Sequence, residues 1–316
     1  MAAYILRRLV QLVPVLVLVM AAVFTIFRLL PGDPAELILG AEPDPAALAA
    51  LRHQFGLDEP LPIQFLRWSG QALRGDLGVS RINEQPVLPL VLEKAPATFE
   101  LAALGLLVGS LVGIPLGVVS ALTRDSWTDL AVRVVSFFGF SLPNYWLGVL
   151  LVIIFSLGLG WLPPAGYAAP REDFLLNLRY AILPSLAIGL PIAAEQTRFL
   201  RASMLDVLHQ DYVRTARGKG LAQLAVVARH IFKNALIPLL TIIGLEFGFL
   251  LGGSVVIEQI FTWPGIGLLT YQSIQARDYP VVQGAVFVTA VGFVAVNLLV
   301  DIGYVLLDPR LRPRDT

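Results

Sequence analysis

Only two strongly polar residues, Gln11 and Arg28, interrupt the run from Leu9 to Leu30. A helix of that length, rising ~1.5 Å per residue, crosses the ~30 Å of hydrocarbon in a bilayer. Five further runs follow, at Phe99–Leu122, Val134–Leu157, Tyr180–Ala194 extending to about Leu200, Ala235–Val256 and Val281–Leu306. The fourth is the most broken, with Glu195 and Arg198 inside it and Pro184 and Pro191 along it. A helix satisfies its own backbone in lipid. The sequence therefore predicts an all-α polytopic membrane protein with six transmembrane helices. Composition agrees, because 56% of the chain is hydrophobic and 15% charged, against about 45–50% and about 25% in soluble domains.

The same sequence excludes several classes. A formal net charge of +0 gives no field to hold nucleic acid. Without cysteine there is no disulfide, thiol nucleophile or thiolate metal site. His53, His209 and His230 are too scattered to expect a metal centre. Gly218-Lys219 fails as a nucleotide loop, since Val213 stands where the first glycine belongs and Gly220 where Ser or Thr belongs. There is no HExxH, and none of Ser110, Ser141 and Ser254 has the flanking pair of glycines of a nucleophile elbow. The chain reads as non-catalytic. Arg7 and Arg8 resemble a signal-peptide n-region, but the apolar run behind them is too long and lacks a small-residue cleavage site. It reads as an uncleaved first span, kinked at Pro14.

Basic residues set the orientation. With the N-terminus inside, the inner segments hold 14 (Arg7, Arg8, Arg124, Arg133, Arg198, Arg201, Arg214, Arg217, Lys219, Arg229, Lys233, Arg310, Arg312 and Arg314) and the two short outer loops 3 (Arg171, Arg179 and Arg277). This predicts an N-in, C-in arrangement in three parts: 1–30 with the first span, an extracytoplasmic region 31–98, and a core of five spans over 99–316 with a cytoplasmic loop at 198–235. In the outer region, Asp33-Pro34 with Glu36, and Asp44-Pro45, each pair an N-cap with a proline at the first helical position. Gly40 and Gly56 would close these two short helices.

Gly105, Gly109, Gly113 and Gly117 in the second span, and Gly244, Gly248 and Gly252 in the fifth, repeat every four residues. That spacing stacks them on one face and invites a helix backbone to approach closely, from the same chain or from a second subunit. Glu246 stands about 200° from Gly244 around the helix, away from the glycine face. A carboxylate there has to face protein or a water-filled path. Either it lines the path and meets a cationic group of cargo, or it hydrogen-bonds a neighbouring helix.

The inner segment Arg198–Lys233 holds seven basic residues against two acidic, Asp206 and Asp211. DYVRTARGKG at 211–220 ends one helix and starts another, with Gly220 able to supply a positive φ at the corner. Leu221, Leu224, Ala225, Ala228, Ile231 and Phe232 are expected to share one helical face. Physical reasoning leaves two uses open: a basic face on anionic lipid, or a rigid lever for a cytosolic partner.

RASMLDVLHQDYVRTARGKG (201–220) followed by NALIP (234–238) resembles the coupling element of ABC-importer permeases of the dipeptide/oligopeptide type. PGDPA (31–35), FGLDEPLPIQF (55–65), GDLGVS (75–80) and PATFELA (96–102) are similar to that family's first outer loop. GGSVVIEQIFTWPGIG (252–267), RDYPVVQG (277–284) and DIGYVLLDPRLR (301–312) are similar to its C-terminal third. By this resemblance Arg214, Thr215 and Ala216 stand at the EAA positions, Arg217 and Lys219 flank them, Gly220 is the motif glycine and Pro238 the closing proline. The sequence departs at Gly218, where alanine is usual, and at Glu246, where glutamine is usual.

The resemblance implies a type I ABC-importer permease fold in the cell (inner, cytoplasmic) membrane. It also implies a heterodimer with a second homologous permease, two cytosolic ATPases and an extracytoplasmic solute-binding protein that delivers di- or oligopeptides. ATP and Mg would bind the ATPases, with no cofactor in this chain. Nickel chelates, glutathione and oligosaccharides are alternative cargoes in the same architecture. An autonomous secondary transporter is the rival of another class, opposed by the lack of an internal repeat and the few ionisable groups within spans.

Overall fold

The computed structural model describes residues 2–29, 44–54 and 58–307. The first expected outer helix at Asp33–Gly40, the closing Gly56, and Arg310, Arg312 and Arg314 lie outside the described residues. Within them the chain is helical, and the sole β feature is an isolated bridge between Val79 and Pro86. Helix α1 spans Ala2–Leu29, with Pro14 inside it. Two short helices follow: α2 (Pro45–Gln54), whose first turn is capped by Asp44 Oδ1 accepting from Ala46 N at 3.2 Å, and α3 (Leu61–Leu73), which the apolar pattern did not suggest.

Helix α4 runs from Val87 to Leu122. It begins twelve residues before the apolar run at Phe99, so the end of the expected outer loop is the first third of a long helix. Trp127–Ser141 forms α5 and Asn144–Leu151 forms α6, which continues as a π segment over Val152–Gly158. The expected third span is therefore not straight. Its two halves meet at 99°, because Pro143 forces Leu142 into extended backbone (φ −85°, ψ 128°). By contrast, the fourth run is continuous: α7 extends from Phe174 to Leu208 through Pro184 and Pro191. Close neighbours on α4 cover the proline-interrupted turns, a common accommodation within membranes.

Beyond α7 come α8 (Asp211–Gly218), α9 (Gln223–Val226) with a π segment at Val227–Phe232, and α10 (Lys233–Gly253). The stretch is bent by 46° between Leu236 and Pro238. Helices α11 (Val255–Ile260), α12 (Ile266–Gln275) and α13 (Tyr279–Leu307) complete the chain. By length and apolarity, α4, α7 and Tyr279–Val300 each suffice to cross a membrane, the two bent stretches suffice as pairs, and Val10–Ile26 is a shorter apolar helix.

The centre of the fold is α4 against α7. The glycines of α4 receive α7 in register: a Cβ on Gly105 would meet Ile188, one on Gly109 Ile192, one on Gly113 the Ala193 carbonyl oxygen at 2.6 Å, and one on Gly117 Leu200 at 3.0 Å. The partners advance together, so the two helices run parallel with four-residue ridges on both. Thr197 Oγ1 donates to Ala193 O at 2.7 Å and lies 3.1 Å from Gly113 O across the contact. Gly244 and Gly248 of α10 receive Val300 and Phe293 of α13, antiparallel, while Gly252 has only ordinary contact with Thr289 at 3.5 Å. Both glycine rows are packed within the chain.

Candidate functional site

The helix–glycine–helix segment closes one end of the bundle. His209 ends α7, its ring Nδ1 2.7 Å from Leu205 O, and Gln210 is extended (φ −74°, ψ 145°). The chain thereby turns into α8, an eight-residue helix with two buried side chains, Val213 and Ala216. These enter a core made by Leu200, Met204, Val226, Ile231, Ala235 and Leu239. Arg214, Thr215, Arg217, Gly218, Lys219 and Gly220 are exposed. Ala216 thus seats the helix and is closed to any partner, while its neighbours face outward. Gly220 has φ +75° with nothing within 4 Å of a would-be Cβ. Its requirement is conformational, not steric. Gly218 is helical and open.

Of the face expected from Leu221, Leu224, Ala225, Ala228, Ile231 and Phe232, the fold covers Ala225, Ile231 and Phe232 in whole or in part and leaves Leu221, Leu224 and Ala228 exposed. Leu221 and Leu224 are 45% and 80% exposed, while Ile231 is buried as expected, joined by Val226 and Val227 from outside that face. Helix α9 starts only at Gln223 after extended Ala222 (φ −55°, ψ 140°). The π segment then adds a residue to the turn, so a strict 3.6-residue period mispredicts the face. The segment's exposed surface accordingly joins Arg214, Arg217 and Lys219 to Leu221 and Leu224. Pro238 is exposed within α10.

Behind the segment, Asp129 of α5 is fully buried. It accepts from Arg201 Nε and Nη2 at 2.8 Å each, from Ser120 Oγ at 2.6 Å and from Asp125 N at 3.1 Å. One carboxylate so joins the end of α4, the start of α5 and the stem of α7. Ser203 Oγ adds a bond from α7 to Ala235 O at 3.2 Å. Deeper along the same helices, Gln196 of α7 donates from Nε2 to Glu246 Oε2 of α10 at 2.7 Å. Of the residues singled out in the sequence, Glu246 is thus bonded to a neighbouring helix.

At the opposite end, three nearby residues of α4 gather the rest of the chain. Ala97 O accepts from Trp263 Nε1 at 2.8 Å, and Thr98 Oγ1 donates to Glu258 Oε1 at 3.0 Å while accepting from Ile266 N at 2.8 Å. Glu100 accepts from Asn177 Nδ2 at 2.6 Å and from Tyr167 OH at 3.1 Å. Burial, then the Glu100 carboxylate, push the Tyr167 phenol up to about 12. Glu258 is fully buried and also accepts from Ser254 Oγ and Leu268 N, both at 2.8 Å. Side chains at Gly265 or Gly267 would fall on its carboxylate. Sequence reasoning passed over Glu258; its signal was a lone charge in GGSVVIEQIFTWPGIG followed by two glycines. Asp278 pins the GDLGVS loop, accepting from Ser80 Oγ at 2.6 Å and Arg81 N at 3.2 Å. Among the described residues no cluster of His, Asp and Glu has the makings of a metal site.

Two family models match the chain. Residues 113–313 match the binding-protein-dependent transport system inner membrane component, and residues 1–102 match the N-terminal region of membrane components of these systems. The glutathione transport system permease protein GsiC of Pectobacterium atrosepticum is 44% identical over 312 residues, covering 99% of each chain. A putative peptide transport system permease protein of Brucella abortus is 45% identical with the same coverage. Among solved structures, a chain of the MetNI methionine ABC transporter in an inward-facing form has a TM-score of 0.57 at 17% identity, covering 69% of this chain and 96% of that one. A chain of an amino acid ABC transporter has a TM-score of 0.52 at 16% identity, covering 68% and 93%.

Proposed function

The chain belongs to the family of binding-protein-dependent transport system inner membrane components, and from that premise we propose how it works and on what. It is the permease component of an ABC importer, a multi-pass membrane protein that works with ATPase and binding-protein partners. The finer reading is a permease for short peptides, glutathione among them, paired with a second, homologous permease in the cell (inner) membrane. Full-length similarity to proteins named for glutathione and peptide transport supports that cargo class. The chain catalyses nothing, and ATP with its Mg ion is bound by the ATPases. Six crossings follow from the six apolar runs, and both termini inside from the basic-residue distribution.

The observation that carries the mechanism is the exposed face of α8. Arg214, Thr215, Arg217 and Lys219 stand outward on a helix anchored by Val213 and Ala216, with the rigid corner of Gly220 beside them. An ATPase gripping this face moves the Met204–Leu239 core as a body and with it the stem of α7. Parallel α4 follows through the glycine row, and the gap between α7 and α10 changes. Glu246 sits on that gap, which this reading makes part of the path's wall. Such rigid-body motion of packed helices suits alternating access. The chain's contribution is differential stabilisation of two arrangements, biased by ATP on one side and the loaded binding protein on the other.

The test is uptake in reconstituted vesicles. Transport of labelled short peptides should require co-purified ATPases and ATP, and should survive collapse of the ion gradient. ATP-independent uptake would refute the reading. Cysteine pairs between Thr215 and the ATPase should cross-link without background from this cysteine-free chain. Reporters fused after Thr316 should work only in the cytosol, and one inserted near Glu84 only outside.

A further inference from the structure

Gln196 and Glu246 leave two buried acceptors facing a shortage of donors. Gln196 is fully buried, and its Nε2 donates to Glu246 Oε2 at 2.7 Å. Gln196 Oε1 and Glu246 Oε1 are both buried and have no hydrogen-bond partner. An amide and an ionised carboxylate hold only the two amide N–H donors between them, and the carboxylate can donate nothing. Two unsatisfied acceptors in one buried pair are rare in folded chains. An acid in place of the carboxylate changes the inventory, because one proton supplies the missing O–H.

We propose that Glu246 is a proton-binding site: in this conformation Oε1 carries a proton and donates it to Gln196 Oε1, while Gln196 Nε2 donates to Glu246 Oε2. The result is a reciprocal acid–amide pair that latches α7 to α10. The surroundings disfavour the charged form. The titratable groups nearest on α7 are Glu195, a like charge, and Arg198, whose guanidinium lies over the Phe140 ring, 4.7 Å from its centroid. Residues 101–122 of α4, 281–300 of α13 and the rest of α10 from 234 to 253 contain no ionisable side chain. No cation therefore stands ready to balance an ionised Glu246 from those helices. A proton needs no extra volume at the two buried oxygens. When α7 and α10 part, the pair breaks, water reaches the carboxyl and the proton passes to it. The reading rests on the permease function only for that parting of helices.

The chain, in lipid nanodiscs with its co-purified partners, tests this by infrared spectroscopy across a pH titration. The expected result is a carbonyl band from a protonated carboxyl that is lost in Glu246→Gln. Glu246→Gln preserves the latch, since its amide N–H replaces the acid O–H. Its thermal unfolding midpoint should stay flat over the pH range in which the wild-type midpoint falls as pH rises. No protonated band, or a band that Glu246→Gln leaves in place, overturns the proposal, as does a trapped water bridging an ionised carboxylate. These readouts need no transport, so failure of the permease reading appears separately, as ATP-independent uptake.

Discussion

Arg201 grips Asp129 with two nitrogens, Nε and Nη2 each 2.8 Å from a carboxylate oxygen, and the carboxylate is wholly buried. The bidentate fork fixes both distance and orientation between α5 and α7. Removing one partner of such a buried pair strands the other charge, which costs about 3 kcal/mol or more. Arg201→Ala should therefore lower the unfolding temperature in detergent more than Arg133→Ala. Arg133 is 50% exposed and 3.6 Å from the same carboxylate, where ion pairs contribute little.

The glycines predict a graded series. Gly113→Ala sets a methyl against backbone atoms of Ala193, its carbonyl oxygen at 2.6 Å and Cα at 3.0 Å, which cannot rotate away. Overpacking of this kind costs about 1–3 kcal/mol. Gly252→Ala meets only Thr289 Cγ2 at 3.5 Å and should be near neutral. Thermal melts of the two variants in one detergent give the comparison, and equal melts would contradict the packing described.

Gly218 and Gly220 are separated by one residue and should respond in opposite ways. Gly218→Ala adds a methyl to an open helical position and should stabilise by about 0.4–1 kcal/mol. Gly220→Val forces a β-branched residue to φ +75°, a costly conformation. Peptide uptake and peptide-stimulated ATP hydrolysis, measured together, should fall sharply only in the second variant, with membrane insertion intact in both.

The apolar runs made the all-helical, membrane-spanning character legible, and the spacing of Gly105 to Gly117 showed that a backbone comes close. What approaches was not legible, because the ladder is equally suited to α7 or to another subunit. The break at Leu142–Pro143 was hidden for a different reason: hydropathy continues across it, and only the proline's effect on the preceding residue marks the bend. The face of Leu221 and Leu224 went astray because a π turn violates the period on which face arguments rest. Glu258 and Asp129 escaped notice because the donors that tie them to distant helices, Thr98 and Arg201, are 160 and 72 residues away, and a sequence shows a charge without showing its partner.

Tyr167 supplies a pH test of the end opposite α8. Its phenol is raised to about 12 by burial and the Glu100 carboxylate, against an ordinary value near 10. A proton held more tightly in the folded state contributes stability that is whole below about pH 10. That stability is lost as pH climbs through about 12. Tyr167→Phe should remove this part of the alkaline loss, seen as a shallower fall of unfolding midpoint with pH above 10.

The π segment at Val227–Phe232 carries one more residue per turn than an α-helix. Deleting exposed Ala228 converts that turn to α geometry while Val226 before it and Ala235 behind it stay in phase. The same deletion inside α10 instead rotates everything downstream by about 100° and carries Gly244 off Val300. Length variation within the helical stretch from Gln223 to Gly253 is thus absorbed at the π segment, and insertions or deletions tolerated in that stretch should cluster in those six residues.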